Sequence, residues 1–201
     1  MIAATRKKFT IEEYHRLIDL GFFTENDRIE LIRGEIIEIA AKRTPHSVCN
    51  SQLWKQLYKL VGNQAEIRVQ EPIVLFNHSE PEPDVVVARK KDDNYLSTHP
   101  SAADIILVIE ISDSTLKYDS PKETLRERET KLPLYAEAGI KDYWIINLVA
   151  RHLEVHTNPF SNAQGEFAYR NKTIVLPDEI IDIPEFTSSN LELNLIFPKD
   201  K

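Results

Sequence analysis

Apolar positions along this chain recur with two periods, near 3.6 and near 2, and the changes between them divide it into helices and strands. In TIEEYHRLIDLG, Thr10 followed by Glu13 predicts a capping box that opens a short helix closing at Gly21. RIELIRGEIIEIA alternates and predicts a strand pair turning near Arg33-Gly34. After Pro45, the near-helical spacing of Val48, Leu53, Leu57, Leu60 and Val61 predicts an amphipathic helix that ends at Gly62 and covers one side of a sheet. The middle reads as strands: AEIRVQ, PIVLF, PDVVVA and DIILVIEIS, separated by prolines and polar clusters. RKKDDNYLSTHPSAA, between the last two, predicts a loop or short helix. A long helix is expected at roughly 121–137, opened by Ser120-Pro121, closed by Gly139, and bent or interrupted by Pro133. DYWIINL and HLEVHT read as two more strands, and the tail adds KTIVL and LELNLIF. Strands, a long helix and further strands in this order predict an α/β or α+β domain around a mixed sheet.

Composition narrows this picture. The chain has 201 residues, with no fixed-period repeat and only 5 glycines, so one domain spanning 1–201 is the simplest organisation. At 42% hydrophobic and 28% charged it can bury a core. Cys49 is the single cysteine, which excludes an intrachain disulfide and a cysteine-pair zinc site and makes the reducing cytoplasm the expected compartment. The start, MIAATRKKFTIEEY, lacks the apolar stretch of a secretion signal, and no uncharged run approaches the ~18 residues of a membrane span, so no membrane role is expected. The net charge of −7 argues against a protein that coats nucleic acid, but a local basic face remains open. Carboxylates gathered for a divalent metal would add to such a balance.

Two carboxylates break the apolar pattern. In DIILVIEIS strict alternation puts Ile106, Val108 and Glu110 on one face and Ile105, Leu107, Ile109 and Ile111 on the other, both otherwise apolar. A buried lone carboxylate is costly unless a cation or donors meet it. Asp84 poses the same problem at the head of PDVVVA. Were the two strands antiparallel neighbours, the start of one would lie beside the end of the other, bringing Asp84 and Glu110 together. They would repel, and a hard cation such as Mg²⁺, which takes oxygen ligands and often only one or two protein carboxylates, would reverse that sign. The structural alternative is a turn-capping Asp84 and a Glu110 buried in an ion pair with Arg128 or Lys131. Spacing alone leaves both open.

TIEEYHRL, RIELIRGEI, Pro45-His46, EPDVVV, VIEISDST followed by YD, and KLPLYAEAGIKDYWIIN, in this order, resemble the Uma-two family, a restriction-endonuclease-like branch of the PD-(D/E)XK nuclease superfamily. These pieces span most of the first 150 residues; the tail after Val149 matches only loosely. The resemblance implies a restriction-endonuclease-like core, a central mixed β-sheet flanked by helices with additional N- and C-terminal strands. It also implies Mg²⁺-dependent phosphodiester hydrolysis, Mn²⁺ as a substitute, and nucleic acid, DNA by expectation, as substrate. Asp84 and Glu110 would then be catalytic metal ligands, joined by the Ile111 backbone carbonyl. Ser112 stands where the superfamily lysine should be, and Lys131 in TKLPLY matches the lysine that takes its place in this branch. SPKETLRE intervenes between Asp119 and Arg128, about two helical turns, and makes Lys122 a second lysine candidate.

The remaining candidates each have a bland reading. Glu30 could ligate or bind through water, or be a solvated charge on a strand edge; His46 could contact phosphate, or cap and pack. Ser114 and Thr115 read as a turn, and Trp54, Trp144 and Tyr143 as core or interface aromatics. Arg89, Lys90 and Lys91 are followed by Asp92 and Asp93 and read as a solvated loop. Two functions from different classes follow: a Mg²⁺-dependent DNA endonuclease, or a catalytically silent nuclease-fold protein that binds nucleic acid or assembles as a homodimer through its tail.

Overall fold

The computed structural model describes residues 6–24, 26–39, 41–113 and 130–199. Helix α1 (Ile11–Asp19) opens with both bonds of the predicted capping box, Thr10 Oγ1 accepting from Glu13 N and Glu13 accepting from Thr10 N. Strands β1 (Ile29–Ile32) and β2 (Glu35–Glu38) form an antiparallel hairpin whose turn, Arg33-Gly34, has φ of 51° and 76°. Glycine is required at the second position for space as well as for φ. A Cβ on Gly34 would lie 2.9 Å from the Cβ of Lys8.

Helix α2 (Thr44–Val61) carries Pro45 in its first turn, where a missing N–H costs nothing. It buries His46, Cys49, Asn50, Leu53, Leu57 and Val61. Val48, expected on that stripe, is instead 39% exposed, because it lies one residue off the i, i+4 row through Cys49 and Leu53. Leu53→Ala is therefore expected to cost about 2–5 kcal/mol in urea denaturation. Val48→Ala should stay within about 0.5 kcal/mol.

The central sheet has six strands in the order β3-β4-β5-β6-β7-β8: β3 (Ala65–Val69), β4 (Val85–Arg89), β5 (Ile105–Ser112), β6 (Asp142–Asn147), β7 (His152–Ser161) and β8 (Phe167–Val175). Every neighbouring pair is antiparallel except β5 and β6, which run parallel, so the sheet is mixed as expected. Helix α2 and the hairpin of β9 (Ile180–Ile183) with β10 (Phe186–Glu192) cover one face, where Leu53, Leu57, Val85, Leu107, Ile109 and Phe197 share a core. On the other face Ile32, Val86, Val108, Leu134, Tyr135 and Ile145 cluster, with α3 (Leu132–Glu137) packed on β7 and β8.

Three expectations change. PIVLF forms no strand; Val74 and Leu75 make isolated bridges, because Phe76 (φ 62°) turns the chain back so that Leu75 meets Ser79. The β4–β5 register slips by one residue, with Val87 opposite Leu107 but Ala88 opposite Ile105. This bulge exchanges the expected sides of Ile105 and Ile106: Ile106 joins the α2 core and Ile105 the α3 core. Of the helix expected at 121–137, residues 121–129 lie outside the described residues. A wider π-type turn at Thr130-Lys131 precedes α3, and Pro133 lies in the first turn of α3, where its lack of an N–H is tolerated. Among the described residues, no helix is long and apolar enough to cross a membrane.

Candidate active site

Strands β4 and β5 bring the two conspicuous carboxylates to one rim of the sheet. Val85 pairs with Ile109, and Asp84 and Glu110 are the next residue on each strand. The Ile111 N–H donates to Asp84 Oδ2 at 2.8 Å, fixing that carboxylate against the end of β5. Both side chains, with Glu30, Glu82, Arg28, Lys42, His46, Lys131 and Ile111, line a cavity of about 230 Å³.

Asp84 is 3% exposed, yet richly met: Lys42 Nζ donates to Oδ1 at 2.8 Å and His46 Nε2 to Oδ2 at 2.9 Å. An ionised carboxylate only accepts, so this ring nitrogen carries its hydrogen. Burial pushes the Asp84 carboxyl up, but the hydrogen bond and charge of His46, together with Lys42, outweigh it and bring the pKa to about 2. Glu110, also 3% exposed, accepts from Lys131 Nζ at 2.9 Å and from the Tyr135 hydroxyl at 2.8 Å, both at Oε1. Lys131 and Tyr135 are four residues apart at the head of α3, so one helical turn directs both at the same oxygen. Burial raises the Glu110 carboxyl, and Asp84 and Glu30 push the same way against Lys131. Burial would lower the Lys131 ammonium, but Glu110 and Glu30 carry it above its ordinary value, so it stays charged.

Glu30 is not the solvated edge charge that its strand position suggested. It is 1% exposed, and its Oε1 accepts from Lys131 Nζ and from the Glu82 N–H, each at 3.2 Å. His46 neither caps nor simply packs, since its ring nitrogen is spent on Asp84. Ser112 is buried but does not line the cavity, and its carbonyl accepts from Leu148 N at 2.8 Å. Lys122, Arg128, Ser114 and Thr115 lie outside the described residues. In the basic run at the end of β4, Arg89 pairs with Glu185 and Lys91 with Asp104. Cys49 is no nucleophile: burial and Asp84 raise its thiol to about 12.

Three charged cavity residues were missed, Glu82, Lys42 and Arg28, and with them Tyr135, which donates to Glu110. Glu82 shares a side with Asp84 by strand alternation in EPEPD, and Tyr135 follows Lys131 by four residues; both spacings were visible. Lys42 and Arg28 sit outside regular elements, where no periodicity marks them. Counted together, the cavity sets four carboxylates (Glu30, Glu82, Asp84, Glu110) against three cations (Arg28, Lys42, Lys131) and the His46 imidazole.

No curated protein matches the chain. Among solved structures it is similar to a crystal structure of "a putative nuclease belonging to DUF820" from Anabaena variabilis, with 17% sequence identity and a TM-score of 0.70 over 94% of this chain and 97% of that one. At that identity the likeness speaks for the fold. The family model Uma2, described as "Putative restriction endonuclease", matches residues 11–195. That span takes in β1, both carboxylates, the Lys131 helix and nearly all of the tail, and on it the chain belongs to the Uma2 family.

Proposed function

We propose that the protein is a divalent-cation-dependent endonuclease that hydrolyses phosphodiester bonds of DNA, with Mg²⁺ as working cation and Mn²⁺ as substitute. The observation that carries this reading is the opening of Asp84 and Glu110, from adjoining strands, onto one cavity with a charged lysine beside them. Among the described residues no three His, Cys, Asp or Glu side chains enclose a metal by themselves. Mg²⁺ does not ask for an enclosing cage; one or two carboxylates with water and phosphate oxygens suffice. The donor set is all oxygen and already meets a cation at Asp84 Oδ1 in the form of the Lys42 ammonium. The residues thus fit a hard divalent cation held by Asp84 and Glu110, with Ile111, Glu30 and Glu82 in the same lining and the Ile111 carbonyl as the third ligand of the proposal.

When bound, such an ion supplies charge neutralisation at the phosphate and a more acidic water. The chain's own residues do the rest. Lys131, charged and anchored by Glu110 and Glu30, directs an N–H at the attacking water or the phosphoryl oxygens and offsets charge that develops there. The Tyr135 hydroxyl holds the Glu110 rotamer. His46 and the Ile111 N–H fix the Asp84 carboxylate in the same way.

The test is cleavage of plasmid and single-stranded DNA in Mg²⁺ or Mn²⁺, comparing the wild type with Glu110→Ala. Cleavage lost in the variant and in EDTA supports the reading; equal residual nicking in both proteins sinks it. One observation favours the silent-scaffold alternative: Asp84 and Glu110 already have lysine partners, Lys42 and Lys131. Calorimetric titration of the wild type separates the two, because a silent scaffold shows no Mg²⁺ or Mn²⁺ binding.

A further inference from the structure

A second groove, of about 360 Å³, adjoins the carboxylate cavity and is lined by Ser47, Asn50, Ser51, Trp54, Val69 and Gln70. Gln70 borders both. It stands at the end of β3 with φ of 55°, and its N–H donates to the backbone oxygen of Asp84 at 3.2 Å, so the wall between groove and cavity is tied to the carboxylate strand. On α2, Asn50 follows His46 by four residues and lies one turn further along the same face. Ser47, Ser51 and Trp54 form the neighbouring row. The groove therefore continues the cavity along the helix.

Its chemistry is unlike that of the core. Trp54 is 40% exposed, so of the core and interface roles expected for it the core one is excluded, and its ring stacks on Tyr58 with centroids 5.7 Å apart at 29°. Asn50 is 5% exposed, and its Oδ1 meets no hydrogen-bond partner among the described residues. A broad aromatic face bordered by an amide, two serine hydroxyls and a glutamine matches a planar heterocycle that stacks on one side and hydrogen-bonds at its edge. A base in a duplex has no free face to lay on the indole, and its pairing edge is used.

We infer that this groove holds an unpaired nucleobase of the strand whose phosphate enters the Asp84–Glu110 cavity, with Trp54 as the stacking platform; the inference rests on the nuclease reading. A nucleobase is preferred to a second copy of the chain because the groove is lined by the buried Asn50, whose amide oxygen meets no partner among the described residues, and shares Gln70 with the carboxylate cavity. The substrate class is then single-stranded nucleic acid, or duplex opened at the cleavage point.

The only other tryptophan, Trp144, is 1% exposed, so Trp54 emission reports on the groove. A short labelled oligothymidylate is titrated into the full chain in Ca²⁺, beside a strand of equal length built from abasic units. Label anisotropy reads binding, and tryptophan emission reads stacking. The expected result is quenching by thymidylate and none by the abasic strand, which binds about tenfold more weakly. Trp54→Ala should lose that same factor for thymidylate, and Trp54→Phe should keep most of it. Equal binding of both strands with unchanged emission overturns the groove and leaves the nuclease reading standing. A wild type that binds neither strand and cleaves no DNA overturns that reading and the groove with it. Shielding of Trp54 from iodide that grows with protein concentration, without nucleic acid, assigns the face to a second copy and also overturns the inference.

Discussion

Asp84→Ala is expected to abolish Mg²⁺ and Mn²⁺ binding in calorimetry and to lower DNA cleavage on the order of 10²–10³-fold, the scale of removing one well-placed electrostatic group. The reason lies in how strongly this carboxylate is held ionised. With its pKa brought to about 2, it carries full charge at neutral pH although buried, and it meets three donors, Lys42, His46 and the Ile111 N–H. Alanine leaves all three without their acceptor, so a stability loss of about 1–3 kcal/mol should accompany the loss of binding. Asp84→Asn separates the two effects: its one acceptor oxygen can keep the His46 and Ile111 N–H bonds while the NH2 replaces the acceptor of Lys42, so it should lose less stability than alanine and still fail to bind the cation. Undiminished cation binding by Asp84→Asn is the result that removes Asp84 from the site.

Lys131→Met has the second large effect, and stability shows it first. The ammonium is 6% exposed and bridges Glu110 at 2.9 Å and Glu30 at 3.2 Å, two carboxylates themselves 3% and 1% exposed. Breaking a buried ion pair from one side leaves an uncompensated charge and is expected to cost about 3–5 kcal/mol in urea denaturation. Cleavage should fall with it, since the positive charge beside Glu110 is gone. The double variant Glu110→Gln with Lys131→Met should recover part of the stability and none of the cleavage. The recovered stability assigns the loss in Lys131→Met to the broken ion pair. A single variant as stable as the wild type would show that the bridge is not the buried network described above.

Much of the site was legible because its residues violate local rules. A glutamate among branched aliphatics and an aspartate heading three valines are each anomalous within a few residues of sequence, and the antiparallel β4–β5 pairing brings both to one rim. Glu30 was harder. An acidic residue on a short alternating hairpin reads as solvated, and only the passage of residues 80–82 alongside β1, with Glu80 N–H donating to Leu31 O at 2.7 Å, buries it. Lys42 left no signal at all, since it lies in an irregular stretch just before α2 and meets Asp84 across 42 positions. The face assignment of Ile105 and Ile106 failed for a related reason: a bulge is a property of two strands pairing, and alternation within one strand carries no mark of it.

The amino-acid sequence by itself determined the local elements: the capped α1, the Arg33-Gly34 turn, the start of α2 at its proline, most strands of the sheet, and the two carboxylates that could not rest among apolar neighbours. Capping, turn geometry and period-2 burial act over a handful of residues, so they are written where they act. The sequence offered Lys131 as a partner for Glu110, and the tertiary structure decided the rest of what compensates those carboxylates. Lys42, His46, Lys131 and Tyr135 come from three separate elements or connections, and long-range packing sets the distances on which their electrostatic interactions depend.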